Sequence, residues 1–446
     1  MPPRKYIFME VAMHHFSPED VRDCLTSTIA SLLDRRAEFL VNPKTDFTRE
    51  RKISFEQTLL FPMIAGSDNI STEILDFFEE GRIPTPSSMI QRRNQVRSSA
   101  FKEVFHQFTR KIPAGKSFYG YRTVACDGSR INLPYNPSDP DTHTNYIKGR
   151  KGINQAHLNA LYDIQNDLFI DIELQNIPSL DEKGAFCRML DRRAGSDRKT
   201  IYIADRGYAS YNIFAHAVHN QQLFLIRVPE SFAKAICKDK KGWLQKDEED
   251  NEVTIHIGRC RRKENRQLEN YHCVPTKGHY DFIPARSRET EAFRLRVLKF
   301  PISENTSEFI VTNLPACGFS MTTVKELYNL RWGIETAFRH LKYAGNMVHI
   351  HSLKKEFLIQ EIYGKLTMYN FSSFIAVCVA DRAERTTSKY SYVINHTQLQ
   401  KICIRFLRGT LKNVADMICS VLVPVRPGRR FKRILRRQSA DTLTYR

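Results

Sequence analysis

The stretch YNLRWGIETAFRHLK, residues 328–342, decides how the rest of the chain is read. With Tyr328 set at 0° and an α-helical step of about 100° per residue, Arg331 falls near roughly 300°, Glu335 near 340° and Lys342 near 320°. The four polar residues therefore share an arc of roughly 60° along one edge of a helix. Leu330, Ile334, Ala337 and Leu341 fall between about 180° and 240°, a separate apolar face that a core would cover. The wider segment TTVKELYNLRWGIETAFRHLKY, residues 322–343, is expected to be the longest clean amphipathic helix of the chain. Taken alone, Arg331 and Glu335 also describe an ordinary i,i+4 surface ion pair, worth about 0.2–0.5 kcal/mol.

Upstream, the pattern alternates between strands and helices. SFYGYRTVACDGSRINLP (residues 117–134) is rich in β-formers and is expected to break at the turn dipeptide Asp127-Gly128. NQAHLNALYD (154–163) and LFIDIELQ (168–175) read as strands joined by Ile164-Gln165-Asn166-Asp167. DEKGAFCRMLDRR (181–193) reads as a helix, TIYIADRGY (200–208) as a β-run ending on Asp205, YNIFAHAVHNQ (211–221) as a helix and QLFLIRV (222–228) as a strand. Strands followed by alternating helix and strand make an α/β fold with a mixed sheet. Residues 1–115 read as helical, with Ser17-Pro18-Glu19-Asp20 as an N-cap, Ser54-Phe55-Glu56-Gln57 as a capping box and Gly81 as a helix C-cap. Residues 231–299 hold short strands with charged turns, and a further apolar helix, FLIQEIYGKLTMYNF (357–371), precedes a basic tail.

Charge points to the class of partner. The 446 residues include 68 Lys plus Arg against 49 Asp plus Glu, a net +19. That excess suits a polyanion such as nucleic acid. It is concentrated in RPGRRFKRILRR near the C-terminus, with Arg429, Arg430 and Arg433, in Gln91-Arg92-Arg93-Asn94-Gln95, and in CRRKENRQ (260–267). The N-terminal helices are thus either a packing domain or a DNA-binding bundle in which Arg92 and Arg93 touch DNA. Hydrophobic residues at 41% and aromatics at 11% exclude wholesale disorder. No apolar run approaches the roughly 18–20 residues of a membrane span, and the first residues carry no export signal, so a cytoplasmic protein is expected. Ten cysteines without a C-x-x-C read as reduced, buried thiols, Cys126 among them, and make zinc a poor candidate.

Two aspartates can join the helix edge. If Asp127 and Asp205 end neighbouring strands, the carboxyl ends of an open sheet bring them to one rim, and a helix packed on that sheet can add Glu335. Three carboxylates there repel unless cations neutralise them. Oxygen-only donors favour Mg²⁺, and two such ions about 3.5–4 Å apart can serve an in-line phosphoryl displacement. Other carboxylates lie nearby: Asp163 and Asp167 read as turn residues, Asp181 and Glu182 as acids opening a helix, while Asp171 and Glu173 stay unassigned.

ACDGSR (125–130), YIADRGY (202–208) and residues 328–342 resemble the corresponding stretches of DDE transposases, insertion-sequence enzymes with an RNase H-like core. The last matches the signature Tyr-x2-Arg-x3-Glu-x6-Lys of the class named after insertion sequence four. The resemblance implies that Asp127, Asp205 and Glu335 are catalytic and hold two Mg²⁺ ions, with Mn²⁺ as a substitute. It implies that Tyr328, Arg331 and Lys342 grip DNA phosphates, and Arg206, next to Asp205, is a further candidate. Asp205 and Glu335 are 335 − 205 = 130 residues apart, whereas a strand, crossover and helix take roughly 30–40. The surplus matches the β-rich insertion of this class, in which Trp243 is either a base-stacking residue or a structural one; Trp332 is expected to pack the helix. The implied organisation is a helical N-terminal domain (1–115), an RNase H-like core in two parts (116–230 and 300–350) around the insertion (231–299), and a helical C-terminal region with the basic tail (351–446). The implied function is a bacterial, nucleoid-associated transposase. It binds terminal inverted repeats and target DNA, cuts strands and joins 3′-OH ends, as a homodimer in a synaptic complex. A catalytically silent DNA-binding relative and an RNase H-fold nuclease without strand transfer are the alternatives.

Overall fold

The computed structural model describes residues 16–113, 115–145, 151–195, 199–238, 247–303, 306–380 and 390–425. Its chain begins with six helices: α1 (Pro18–Asp34), α2 (Arg36–Phe39), α3 (Phe55–Ile64), α4 (Ile70–Phe77), α5 (Pro86–Gln95) and α6 (Ser98–Lys111). The expected N-cap of α1 is a capping box of Ser17 with Asp20, and the expected capping box of Ser54 with Gln57 forms at α3. Each satisfies backbone N–H groups that the first helical turn leaves without partners. Helix α4 stops at Phe77, before Gly81, which takes a left-handed φ of 84° in the following turn.

The sheet starts with β1 (Arg122–Leu133), β2 (His143–Thr144), β3 (Ile153–Asp163) and β4 (Leu168–Asn176), of which β1, β3 and β4 form an antiparallel meander. Helix α7 (Glu182–Arg192) then leads to β5 (Thr200–Ala204), parallel to β1, and α8 (Tyr211–His219) leads to β6 (Leu223–Val228), parallel to β5. The central order is β4-β3-β1-β5-β6. TIYIA and LFLIRV are apolar except for Thr200 and Arg227 because helices cover both faces of the parallel strands. Tyr202 and Phe224 face one core cluster, Ile201, Ile203 and Leu225 the other.

After α9 (Glu230–Ile236) the sheet continues outward. Strands β7 (Glu249–Gly258), β8 (Tyr271–Cys273), β9 (Thr290–Ser303) and β10 (Thr306–Thr312), with the short helix α10 (Lys263–Arg266), extend it from β6 in the order β10-β9-β7-β8. The 231–299 segment therefore hydrogen-bonds into the main sheet, and the expected boundary at 299 falls inside β9.

The segment expected as one long helix is two: α11 (Met321–Leu330) and α12 (Trp332–Tyr343). At Arg331 the backbone tightens, with Arg331 N–H donating to Tyr328 O at 3.0 Å and Ile334 N–H to Arg331 O at 3.1 Å. The two halves serve different cores. Val324, Leu327 and Tyr328 pack with Ile201, Leu225 and Ile310, whereas Ile334, Ala337, Phe338 and Leu341 join the larger cluster. The longest helix is instead α13 (Lys355–Cys378). It is buried along most of its length because α3, α6 and β4 surround it. Asn370 clamps it to β4, accepting from Phe169 N–H at 2.9 Å and donating to Phe169 O at 2.8 Å. At Gly364 a Cβ would lie 3.0 Å from the Pro62 backbone, so glycine lets α13 and α3 cross closely where a larger residue would push them apart. A small pair, β11 (Ser391–Val393) with β12 (Val423–Val425), flanks α14 (His396–Leu407) and α15 (Val414–Ser420). Among the described residues no helix is long and apolar enough to cross a membrane.

Candidate active site

Strand β1 does not end at Asp127. It runs on to Leu133 because β3 pairs with it along its far half, Asp127 opposite Ala160 and Leu133 opposite Asn154. Gly128 is there for close approach, not for a turn. A Cβ on it would lie 2.3 Å from His157 Nε2 and 2.6 Å from Glu182 Oε1. What does end is the parallel partner: the β1–β5 ladder closes at Cys126 opposite Ala204. Asp127 and Asp205 are the next residues on each chain, side by side on the rim. Strand alternation then points both away from the Tyr202 face and toward α11 and α12.

Arg331 joins the strand to the helix. Its Nη2 donates to Glu335 Oε1 at 2.9 Å and its Nη1 stands 3.8 Å from Asp127 Oδ2. The guanidinium is buried, while the Glu335 side chain is 44% exposed. The guanidinium carbon lies 4.5 Å from the Trp332 ring and 6.0 Å from that of Tyr328. Asp127 Oδ1 accepts from Gly128 N–H at 2.8 Å, and Asp205 Oδ1 from Gly207 N–H at 2.8 Å. Burial pushes the Asp127 carboxyl up to about 6; the Gly128 N–H and Arg331 oppose the rise, and Asp205 and Glu335 add to it. Asp205 and Glu335 thus act electrostatically on Asp127.

Lys342 is half-buried two turns along α12, and burial lowers its pKa. Tyr328 is only 4% exposed, packed beneath Arg331 rather than presented to solvent. Arg206 is exposed, in the 3₁₀ turn that follows Asp205.

Several expectations need correction. Trp332 does not pack the helix: it is 53% exposed, on the side of the helix away from its Ile334–Leu341 face. Arg92 and Arg93 are both buried. Arg93 is buried between α5 and α13, bonded to Gln360 Oε1 at 3.0 Å, Phe357 O at 3.2 Å and Glu361 Oε1 at 3.2 Å. Arg92 stacks over Phe47 at 4.4 Å and donates to Gln95. Trp243, Arg429, Arg430 and Arg433 lie outside the described residues. The neighbouring carboxylates are engaged elsewhere. Asp163 pairs with Arg122 at 2.5 Å, Asp171 and Glu173 with Arg192 and Arg188, and Asp181 caps α7.

Sequence reasoning missed His157 as a neighbour of the site. It is buried, its Nε2 is 2.9 Å from Glu182 Oε1, and the pair presses on Gly128 from the face opposite Asp127. The bond from His157 keeps the Glu182 carboxyl below its ordinary value.

The donor set suits a hard divalent cation, being oxygen-only and electrostatically strained. Among the described residues no three acidic, histidine or cysteine side chains are gathered closely enough to hold a metal ion. Arg331 supplies the positive charge between Asp127 and Glu335.

The family model for the transposase DDE domain matches residues 118–371, a span that contains Asp127, Asp205, Tyr328, Arg331, Glu335 and Lys342. Among solved structures the chain is similar to the piggyBac transposase determined by cryo-EM in a synaptic complex with hairpin DNA. Identity is 9% and the TM-score 0.45, over 94% of this chain and 89% of that one. No curated protein matches.

Proposed function

The chain belongs to the transposase DDE domain family, and from that premise we propose that it is an insertion-sequence transposase of the insertion-sequence-four class. In this reading it binds terminal inverted repeats, cuts the DNA strands at them and joins the freed 3′-OH to target DNA, as a homodimer around paired ends in the bacterial nucleoid. The observation that carries the reading is the pairing of Asp127 and Asp205 just past one ladder end, with Arg331 linking that rim to Glu335. The order β4-β3-β1-β5-β6, a meander followed by two parallel crossovers, supports an RNase H-like core. The strands between β6 and α11 support an inserted β-rich region.

Asp127, Asp205 and Glu335 would hold two Mg²⁺ ions, for which Mn²⁺ can substitute; bound metal supplies Lewis acidity at the scissile phosphate and activates the attacking oxygen. The chain's own residues supply the rest. Arg331 offers a planar fork for phosphate oxygens and Lys342 a point charge farther along α12, so exchanging one for the other is not conservative. Arg206 is open to a neighbouring phosphate, and Tyr328 sets the orientation of Arg331 from below.

Incubation with Mg²⁺ and DNA carrying the element's ends tests the proposal. Cleavage followed by joining supports it. Binding without nicking assigns a catalytically silent relative, and nicking without joining a nuclease. Asp127→Ala, Asp205→Ala and Glu335→Ala should each abolish cleavage while leaving DNA binding; retained cleavage in any of them overturns the assignment of that residue.

A further inference from the structure

Arg331 has more donors than its surroundings use. It is 5% exposed, its Nη2 is bonded to Glu335, its Nη1 faces Asp127, and its Nε is buried without a hydrogen-bond partner. It also sits at the tightened junction between α11 and α12, where its N–H donates to Tyr328 O and its own carbonyl accepts from Ile334 N–H.

We propose that Arg331 is the resident counter-ion of the carboxylate rim and a gate on it: a divalent cation can occupy the Asp127–Glu335 gap only as Arg331 leaves, which frees the guanidinium for a DNA phosphate. This deepens the proposed function and rests on its reading of Asp127 and Glu335 as metal ligands. The guanidinium is bonded to Glu335 Oε1 and faces Asp127 Oδ2, so an incoming cation competes with it for the same carboxylate oxygens. The two states are therefore exclusive, and metal loading is coupled to the phosphate grip. Without metal, Arg331 keeps Asp127 and Glu335 neutralised; with metal, its fork is available to DNA.

The test uses the protein without DNA and metal alone as the probe. Mn²⁺ binding is measured by electron paramagnetic resonance at pH 8 for the wild type, Arg331→Gln, Asp127→Asn and Glu335→Gln. The gate predicts at least fivefold tighter binding in Arg331→Gln and weaker binding in the two acid variants. Equal or weaker binding in Arg331→Gln, with the acid variants still weakened, overturns the gate and leaves the metal-ligand reading standing. Unchanged binding in Asp127→Asn and Glu335→Gln overturns that reading and the gate with it. A second measurement does not depend on how an Arg331 variant folds. The chain has two tryptophans, so Trp243→Phe leaves Trp332 as the sole reporter, with the Arg331 guanidinium 4.5 Å from its ring. Titration with Mg²⁺ should shift Trp332 emission as the guanidinium leaves. A silent Trp332 at Mg²⁺ concentrations that saturate the site overturns the proposal.

Discussion

Asp127 and Asp205 hold equivalent positions on neighbouring strands, each the first residue past the Cys126–Ala204 pair that closes the β1–β5 ladder. Neighbouring strands lie about 4.8 Å apart, so this register alone delivers two carboxylates to one point on the rim. Everything else at the site adapts to that pair. Arg331 reaches it from the junction of α11 and α12, and Gly128 makes room behind it for His157 and Glu182.

Gly128→Ala should therefore damage the site without touching a reacting group. The added methyl would sit 2.3 Å from His157 Nε2 and 2.6 Å from Glu182 Oε1, so strand or side chains must shift. The Gly128 N–H also holds Asp127 Oδ1. A stability loss of about 1–3 kcal/mol is expected, the usual cost of overpacking. Cleavage should fall more than DNA affinity does. Combining it with Glu182→Ala should restore part of the stability; a double variant no more stable than Gly128→Ala would show that the clash lies elsewhere.

Arg93→Ala should behave as a core mutation. It removes the buried partner of Glu361 and strands Gln360, a change that costs about 3–5 kcal/mol when a buried ion pair loses one member. Urea denaturation should show that loss, and DNA affinity of the folded protein should be unchanged. A fall in DNA affinity with normal stability would return Arg93 to the DNA interface.

These two cases mark where the sequence could be read and where it could not. The Tyr328–Lys342 spacing put Arg331, Glu335 and Lys342 along one expected helix edge because helical periodicity is local. It could not show the break at Arg331, which exists because α11 and α12 pack into different cores. Asp127-Gly128 looked like a turn because that dipeptide favours turns, yet the glycine answers to His157 on another strand. Arg92 and Arg93 looked like surface because charge usually is. Met89, Arg92, Arg93 and Val96 nonetheless follow a three- and four-residue spacing that marks a buried face. The answering residues, Gln360 and Glu361, lie in α13, far along the chain, and only tertiary contact joins them.

The helix that carries Glu335 should loosen in acid. His340 of α12 stacks on His396 at the start of α14, ring centroids 3.7 Å apart. Burial, then His396 and Arg339, hold the His340 imidazole down to about 4. Burial and Arg339 also lower His396, against the pull of Asp167. A depressed histidine binds fewer protons folded than unfolded, so its contribution is intact above about 6.5 and is lost as the pH falls toward about 4. The melting temperature of the wild type should drop across that window more steeply than that of His340→Phe, which stacks but cannot charge. Parallel curves for the two proteins would remove the pair from any acid response.

The outer strands should contribute affinity through phosphate contacts. Arg261, Arg262, Lys263 and Arg266 are exposed on and beside α10 at the far edge of the sheet. Their base is rigid: Arg259 is buried and donates to the carbonyl oxygens of Pro275, Thr276, Gly278 and Tyr280. Asn265 ties α10 to Arg288 O. Each phosphate neutralised by a basic side chain adds about 0.9 to the slope of log affinity against log salt on duplex DNA. Replacing Arg261, Arg262 and Arg266 together by alanine should thus flatten that slope by about 2–3 and weaken binding to all sequences alike. Filter binding or fluorescence anisotropy between low and moderate salt reads both effects. An unchanged slope would mean that the duplex does not reach this edge, and the basic excess of the chain would then have to act through other surfaces.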